Sequence, residues 1–307
     1  MNRHSGQRGV ALITAILIMA MVASIAAGLA WDNALDVRRT MVALHRDQAI
    51  QVAMGAENWV ASILRDDLAD TQTDHLGEIW AQDLPPFPID GGELWGRIED
   101  LQGRFNVNNL IDQNGAVDQE SLEQFQRLLS SLDLDVRLAG IAADWIDADR
   151  QASFPDGAED PIYTGFTPPY RPPNRMLSSV SELAAIEGMD KSTMDILAPH
   201  IVALPGRTPV NVNTATAAVL QSLDENISTA DVDRLIAERE EGGFADIQNS
   251  FSAIVKPDVL NSLDETSGYF QLMVVARIDT VRITYYSLLW RDANGNVAPI
   301  LRSLGTT

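Results

Sequence analysis

Apolar and polar positions along this chain fall into three rhythms, and each predicts a different element. From Val10 to Trp31 runs an uninterrupted apolar block, 22 residues without a charge. A helix of about 20 apolar residues spans a bilayer core of ~30 Å. Arg3 and Arg8 precede the block and Asp32 and Asp36 follow it. The positive-inside tendency therefore keeps the N-terminus cytoplasmic and sends the rest of the chain outward. Past Trp31 the apolar positions thin to Leu35, Met41, Val42, Ala49, Val52, Ala53, Ala56, Trp59, Val60 and Ile63, with Arg38, Arg39, Arg46, Asp47 and Glu57 between them. That three-and-four spacing is the mark of an amphipathic helix, and no proline interrupts it before Pro85. Two readings stand: an anchor followed by a separate helix, or one helix from Val10 to about Leu64, ~80 Å long at 1.5 Å per residue.

The third rhythm is period two. Glu93–Glu99 alternates, Asp100–Gly103 reads as a turn and Arg104–Asn108 as the returning strand of a hairpin. Tyr269–Ile278 and Val281–Trp290 are rich in branched and aromatic residues, and Asn294-Gly295 signals a tight turn before a last strand at Val297–Leu301. Between these strand-rich ends, Ser121–Thr266 reads as mostly helical. The predicted class is α+β, a long N-terminal helix on a small antiparallel sheet with a large inserted α-helical domain.

The junction before the apolar block admits three outcomes. A secretory signal would be cut near Ala23, Ala26, Ala27 or Gly28; a plain anchor would stay uncut; a third type is cut after Gly9, exposing Val10. In that third form, a glycine behind Arg8 and ahead of an unbroken apolar helix resembles the leader of type IV pilins and type II secretion pseudopilins. The resemblance implies a prepilin peptidase cut between Gly9 and Val10, and N-methylation of Val10. It also implies a single-pass protein of the bacterial inner membrane with a periplasmic, pilin-like head. Most members carry a glutamate at the fifth residue after the cut, thought to neutralise the terminal ammonium of a neighbouring subunit. Here that position is Thr14. By itself it reads as a hydroxyl bonded to its own backbone. Within the family, the missing acid resembles the K-type minor pseudopilin, a subunit suited to the tip.

Composition narrows the options further. The net charge is −21, and about −23 once Arg3 and Arg8 leave with the leader, which repels nucleic acid and anionic headgroups alike. With no cysteine, no disulfide can staple the exported part.

Two segments in the middle stand out. Phe105-Asn106-Val107-Asn108-Asn109 and Val210-Asn211-Val212-Asn213-Thr214 form a weak repeat at an offset of 105, each ahead of a helical stretch. The second continues through Asp231–Arg239 and Gly242–Ile247, and the run resembles the helix-hairpin-helix modules of DNA-uptake proteins. Where such hairpins use glycines to hold phosphate, this chain has Leu223-Asp224-Glu225-Asn226-Ile227-Ser228. Two carboxylates with no Lys/Arg cluster oppose nucleic acid, so the segment reads as a helix-hairpin-helix-like fold kept for protein contacts.

The other segment is acidic: Asp144, Asp147, Asp149, Asp156, Glu159 and Asp160 against one base, Arg150. Prolines continue it as a loop to about Asn174, and a structureless loop of this length needs something to organise it. Such acids can be a solvated face. They also suit a hard divalent cation with ~6–8 oxygen ligands, although EF-hand spacing is absent. Asp144-Trp145-Ile146-Asp147-Ala148-Asp149 followed by Gly157-Ala158-Glu159-Asp160 resembles an element of the K-type pseudopilins, and that resemblance implies a structural Ca²⁺. The expected ligands are Asp147, Asp149, Glu159 and Asp160, with Asp144 on the preceding helix.

Catalysis finds no support. There is no cysteine nucleophile, His4, His45, His75 and His200 form no metal motif, and neither a nucleophile elbow nor a phosphate loop is present. The acids could serve a glycosidase, yet no aromatic cluster is expected beside them. The chain thus divides into leader (1–9), membrane part (10–31), head (32–120), inserted helical domain (121–266) and closing strands (267–307). What the resemblance implies is a non-enzymatic minor pseudopilin at the pseudopilus tip that nucleates and caps assembly. Its implied partners are the I- and J-type pseudopilins, with the H type and the major pseudopilin as further candidates. The rivals are a DNA-binding competence protein and a type IV minor pilin, the latter disfavoured by the absence of cysteine.

Overall fold

The computed structural model describes residues 7–83, 85–240 and 242–305; Arg3 and the side chain of Arg8 lie outside them. Helix α1 (Gln7–Asp70) is one continuous helix of 64 residues, about 96 Å long. It starts three residues before Val10 and runs about two turns past Leu64. From Gly9 to Ala34 every side chain is exposed, and α1 contains the stretch long and apolar enough to cross a membrane.

Burial on α1 begins at Ala49 and follows the stripe Ala49, Ala53, Ala56, Val60, Leu64. The alanines let the helix axis approach a sheet closely, and Val60 and Leu64 extend the buried stripe with larger side chains. That sheet is five-stranded and antiparallel, in the order β1 (Phe87–Ile89), β2 (Gly92–Asp100), β7 (Tyr269–Ile278), β8 (Val281–Arg291), β9 (Val297–Leu304). Period two decides the facing of β7: Phe270, Leu272, Val274, Ala276 and Ile278 are all buried. Phe270 meets Trp80 edge-on at 5.4 Å.

The hairpin expected from Arg104–Asn108 does not form. Strand β2 pairs with β1 on one edge and β7 on the other, with Trp95 opposite Val275. Its two edges are therefore filled. Phe105–Asn106 becomes β3 and pairs in parallel with β4 (Ile201–Val202). Its alternation is also not half-polar in space: Phe105, Asn106, Val107 and Asn108 are all buried. The repeat partner does the same, with β5 (Val210–Asn211) pairing in parallel with β6 (Leu263–Asp264).

The two asparagine motifs are structural equivalents. In each, the first asparagine turns its Oδ1 back onto the N–H two residues on, Asn106 to Asn108 at 3.1 Å and Asn211 to Asn213 at 2.9 Å. The second then pins a distant segment through both amide atoms. Asn108 takes the N–H of Leu177 (2.8 Å) and donates to its carbonyl (2.9 Å); Asn213 takes the N–H of Phe244 (2.6 Å) and donates to its carbonyl (3.1 Å).

Around these pairs fold α2 (Gln119–Ser131), α3 (Leu138–Ile146), α4 (Asp160–Tyr163), α5 (Lys191–Leu197), α6 (Ala217–Ser222), α7 (Thr229–Arg239), α8 (Ile247–Phe251) and α9 (Pro257–Leu260). They share one apolar core, separate from the one beneath α1, in which Phe105 stacks on Phe125 at 5.1 Å. Phe105, Val107, Leu110 and Ile111 belong to this core, ahead of residue 121, where the helical stretch was expected to start. In the hairpin between α6 and α7, the Asp224 carboxylate is buried, accepting from Asn226 N (3.0 Å) and Lys256 N (3.0 Å).

A polar cluster crosses the α1–sheet core at Glu57. Glu57 is buried, accepting from the Tyr285 hydroxyl (2.6 Å) and from Arg302 Nε (3.0 Å) and Nη2 (2.7 Å). Burial alone would raise its pKa, but the donors from Arg302 and Tyr285 offset this and hold it below the ordinary value. Arg302→Ala leaves Glu57 with Tyr285 alone. A buried charge short of a donor costs about 1–3 kcal/mol, so the urea midpoint of the Arg302→Ala protein should fall by a matching amount.

Candidate metal centre

Helix α3 is apolar on nearly every face because it lies deep in the helical core, yet it carries Asp144, which is fully buried. Asp144 Oδ2 accepts the N–H of Ser153 at 3.0 Å, and this bond folds the loop after α3 back over the helix. Gly157 closes that loop. A Cβ there would stand 2.1 Å from Asp144 Oδ2 and 2.3 Å from Ser153 N, so no side chain fits. The loop is not structureless, for it contains α4.

Asp147 caps the C-terminus of α3 and Glu159 the N-terminus of α4. Both are buried, while Asp149 is exposed. One oxygen from each of Asp147, Asp149 and Glu159 lies within 4.8 Å of the others. The structure thus gathers three of the four expected ligands. The fourth, Asp160, is the first residue of α4 and turns toward Arg171, at 3.5 Å. Asp144 lies on the helix, as expected, and supports the loop.

The three oxygens lack compensating charge. No basic side chain pairs with Asp147, Asp149 or Glu159 among the described residues. Asp147 Oδ1 is buried with no hydrogen-bond partner among the described residues, as is Asp144 Oδ1. Burial, then the charges of Asp149, Asp144 and Glu159, push the Asp147 carboxyl up to about 7. Burial likewise raises Glu159. All-oxygen donors, an orphaned buried carboxylate oxygen and mutual repulsion fit a hard divalent cation.

Two features were missed in the sequence. Asn174 donates to both lips of the cluster, the Asp149 carbonyl and Glu159 Oε1 (3.4 Å); its only signal was its place at the end of the proline run. Contrary to expectation, aromatics do flank the acids: Trp145 meets Tyr163 at 5.0 Å, and Tyr163 meets Phe166 at 5.7 Å and Tyr170 at 5.5 Å. Trp145 and Tyr163 are buried in the helical core, while Tyr170 is half-buried and Phe166 is exposed at its edge.

Comparisons with known proteins agree with this architecture. Two sequence models described as type II secretion system (T2SS), protein K match residues 103–206 and 210–262. The chain is 35% identical to the type II secretion system protein K of Pseudomonas aeruginosa, over 98% of this chain and 93% of that one. It is 31% identical to the protein K of Aeromonas hydrophila, over 97% of each. Its fold matches a chain in the crystal structure of the GspK-GspI-GspJ complex from the enterotoxigenic Escherichia coli type 2 secretion system with a TM-score of 0.78. That match has 25% identity and covers 88% of this chain and all of the other. By descent and by fold, this chain belongs to the type II secretion system protein K family.

Proposed function

We propose that this protein is the minor pseudopilin at the tip of the type II secretion pseudopilus, where it nucleates and caps assembly with the I- and J-type pseudopilins. The observation that carries the reading is at Thr14. Its hydroxyl donates to the carbonyls of Val10 (3.1 Å) and Ala11 (3.0 Å). The helix is thereby locally complete at the position where other pseudopilins carry an acid that seeks a neighbour's terminal amine. The GspK-GspI-GspJ assembly of the structural neighbour supports the choice of partners. The inserted domain supports the cap, because its bulk on the head leaves little room for a subunit above. Processing between Gly9 and Val10, methylation of Val10 and an inner-membrane anchor with a periplasmic head complete the proposal. The work is assembly, with no catalytic step.

Asp147, Asp149 and Glu159 would hold a structural Ca²⁺, with Asp160 the further candidate on the same loop. The bound ion supplies positive charge where three carboxylates converge, tying the end of α3 to the start of α4.

Co-expression with I- and J-type pseudopilins and the peptidase should yield a ternary complex whose K-type chain begins at methylated Val10 by mass spectrometry. A start near Leu29, or no complex, would overturn the assignment.

Calcium should raise the melting temperature of the full chain in detergent, and by a clearly smaller amount in an Asp147→Asn/Glu159→Gln variant. Without calcium, the direction with pH follows from Asp147. Its folded pKa of about 7 lies above the unfolded value, about 3.9. The folded state therefore binds the extra proton, and stability falls as pH rises from about 4 to about 7. The loss reaches up to about 4 kcal/mol. Asp147→Asn should flatten that slope by up to one proton, and saturating calcium should do the same for the parent.

A further inference from the structure

A second group of carboxylates lies far from α3, where α1, the five-stranded sheet and the inserted domain meet. Asp67 is on the last turn of α1, and Asp74 and Glu78 follow in the segment that leads to the sheet. One oxygen of each lies within 4.8 Å of the others.

Asp74 is 1% exposed. Its Oδ2 is held by Ser267 N (2.7 Å) and by Arg291, while its Oδ1 is buried with no hydrogen-bond partner among the described residues. Glu78 is fixed from behind, Oε1 accepting from Thr71 Oγ1 (3.0 Å) and Oε2 from His75 N (3.1 Å) and Trp80 Nε1 (2.6 Å). Arg291 is the one guanidinium paired with the group among the described residues, and it reaches Asp67 Oδ2 at 3.4 Å. His75 stands 3.7 Å from Glu78.

Three converging carboxylates against one permanent cation leave a deficit of positive charge. The bare oxygen of Asp74 makes the deficit costly, because an unpaired buried carboxylate oxygen loses its hydration without replacement. The donors are hard oxygens. The location adds to this, since the C-terminus of α1 directs the negative end of its dipole at the same point.

We propose that Asp67, Asp74 and Glu78 form a second divalent-cation site, of the calcium class, at the seam between α1, the sheet and the inserted domain. An ion there joins the end of the membrane-bound helix to the segment entering the sheet and, through Ser267, to the exit of the inserted domain. It is independent of the Asp147 cluster in residues and in place.

The test is equilibrium dialysis of calcium, with terbium luminescence as the positional readout, on the full chain in detergent. Asp147→Asn/Glu159→Gln should still bind one equivalent, and Asp67→Asn/Glu78→Gln in the parent should lose one. Asp74 is left intact so that Arg291 keeps its partner. Terbium bound to the Asp147→Asn/Glu159→Gln protein should emit on excitation of tryptophan, because the Trp80 indole abuts Glu78. Adding Trp80→Phe should cut that emission several-fold while the bound equivalent remains. The proposal fails if the Asp147→Asn/Glu159→Gln protein binds no ion. It also fails if Asp67→Asn/Glu78→Gln leaves the count unchanged, or if Trp80→Phe leaves the emission unchanged.

Discussion

A single buried guanidinium holds the molecule together. Arg291 ends β8 at 4% exposure. It donates to the Leu64 carbonyl of α1 at 3.0 Å and to the Ser267 carbonyl at the exit of the inserted domain at 2.9 Å. It bonds Asp74 in the connecting segment, and the Phe270 ring lies 4.8 Å from its carbon centre. Helix, connector, sheet and insertion therefore converge on one planar cation. Its fixed fork of donors can serve several acceptors at once, as an ammonium cannot. Losing it would leave several buried acceptors and a carboxylate unpaired together, so the four parts form one cooperative unit.

The inserted domain uses a second device, employed twice. Short parallel strand pairs are weak alone, and each here has only two residues per strand. The asparagines make up the difference: one closes a turn on itself and the next clamps a remote backbone segment with both amide atoms. Asn106 and Asn108 do this around Leu177 and Leu204, and Asn211 and Asn213 around Phe244. A domain without disulfides thus gains long-range cross-links from side-chain amides. Asn211 also donates to Asp100 Oδ2 at 2.9 Å and to the Asp74 carbonyl at 3.0 Å, which joins the second clamp to the Arg291 junction.

Much of this was legible in the residues, and the failures have physical causes. The long helix was legible because nothing in Val10–Ile63 breaks the 3.6-residue period, and β7 and β8 because their composition and turn allowed little else. The acidic cluster was legible as composition, and three of its four expected residues converge. Asp160 is not among them and instead pairs with Arg171, further along the loop. The return strand at Phe105 failed for a related reason: local alternation says nothing about whether the neighbouring edge is already occupied. Asn174, Ser267 and Arg291 were invisible because their importance lies in contacts across tens to hundreds of positions. The Asp67–Asp74–Glu78 group has no signal in the sequence, because only burial reveals the bare oxygen.

Thr14 bears on the order of events as well as on place. A helix whose polar group is satisfied by its own carbonyls carries no exposed charge in lipid at that depth, and so has no electrostatic reason to leave the dispersed state. A subunit with a glutamate there is different, since its carboxylate stays costly until a partner supplies the opposite charge. The first kind can wait alone in the bilayer; the second is driven to add to whatever is already there. A threonine in place of an acid removes that electrostatic drive from this subunit.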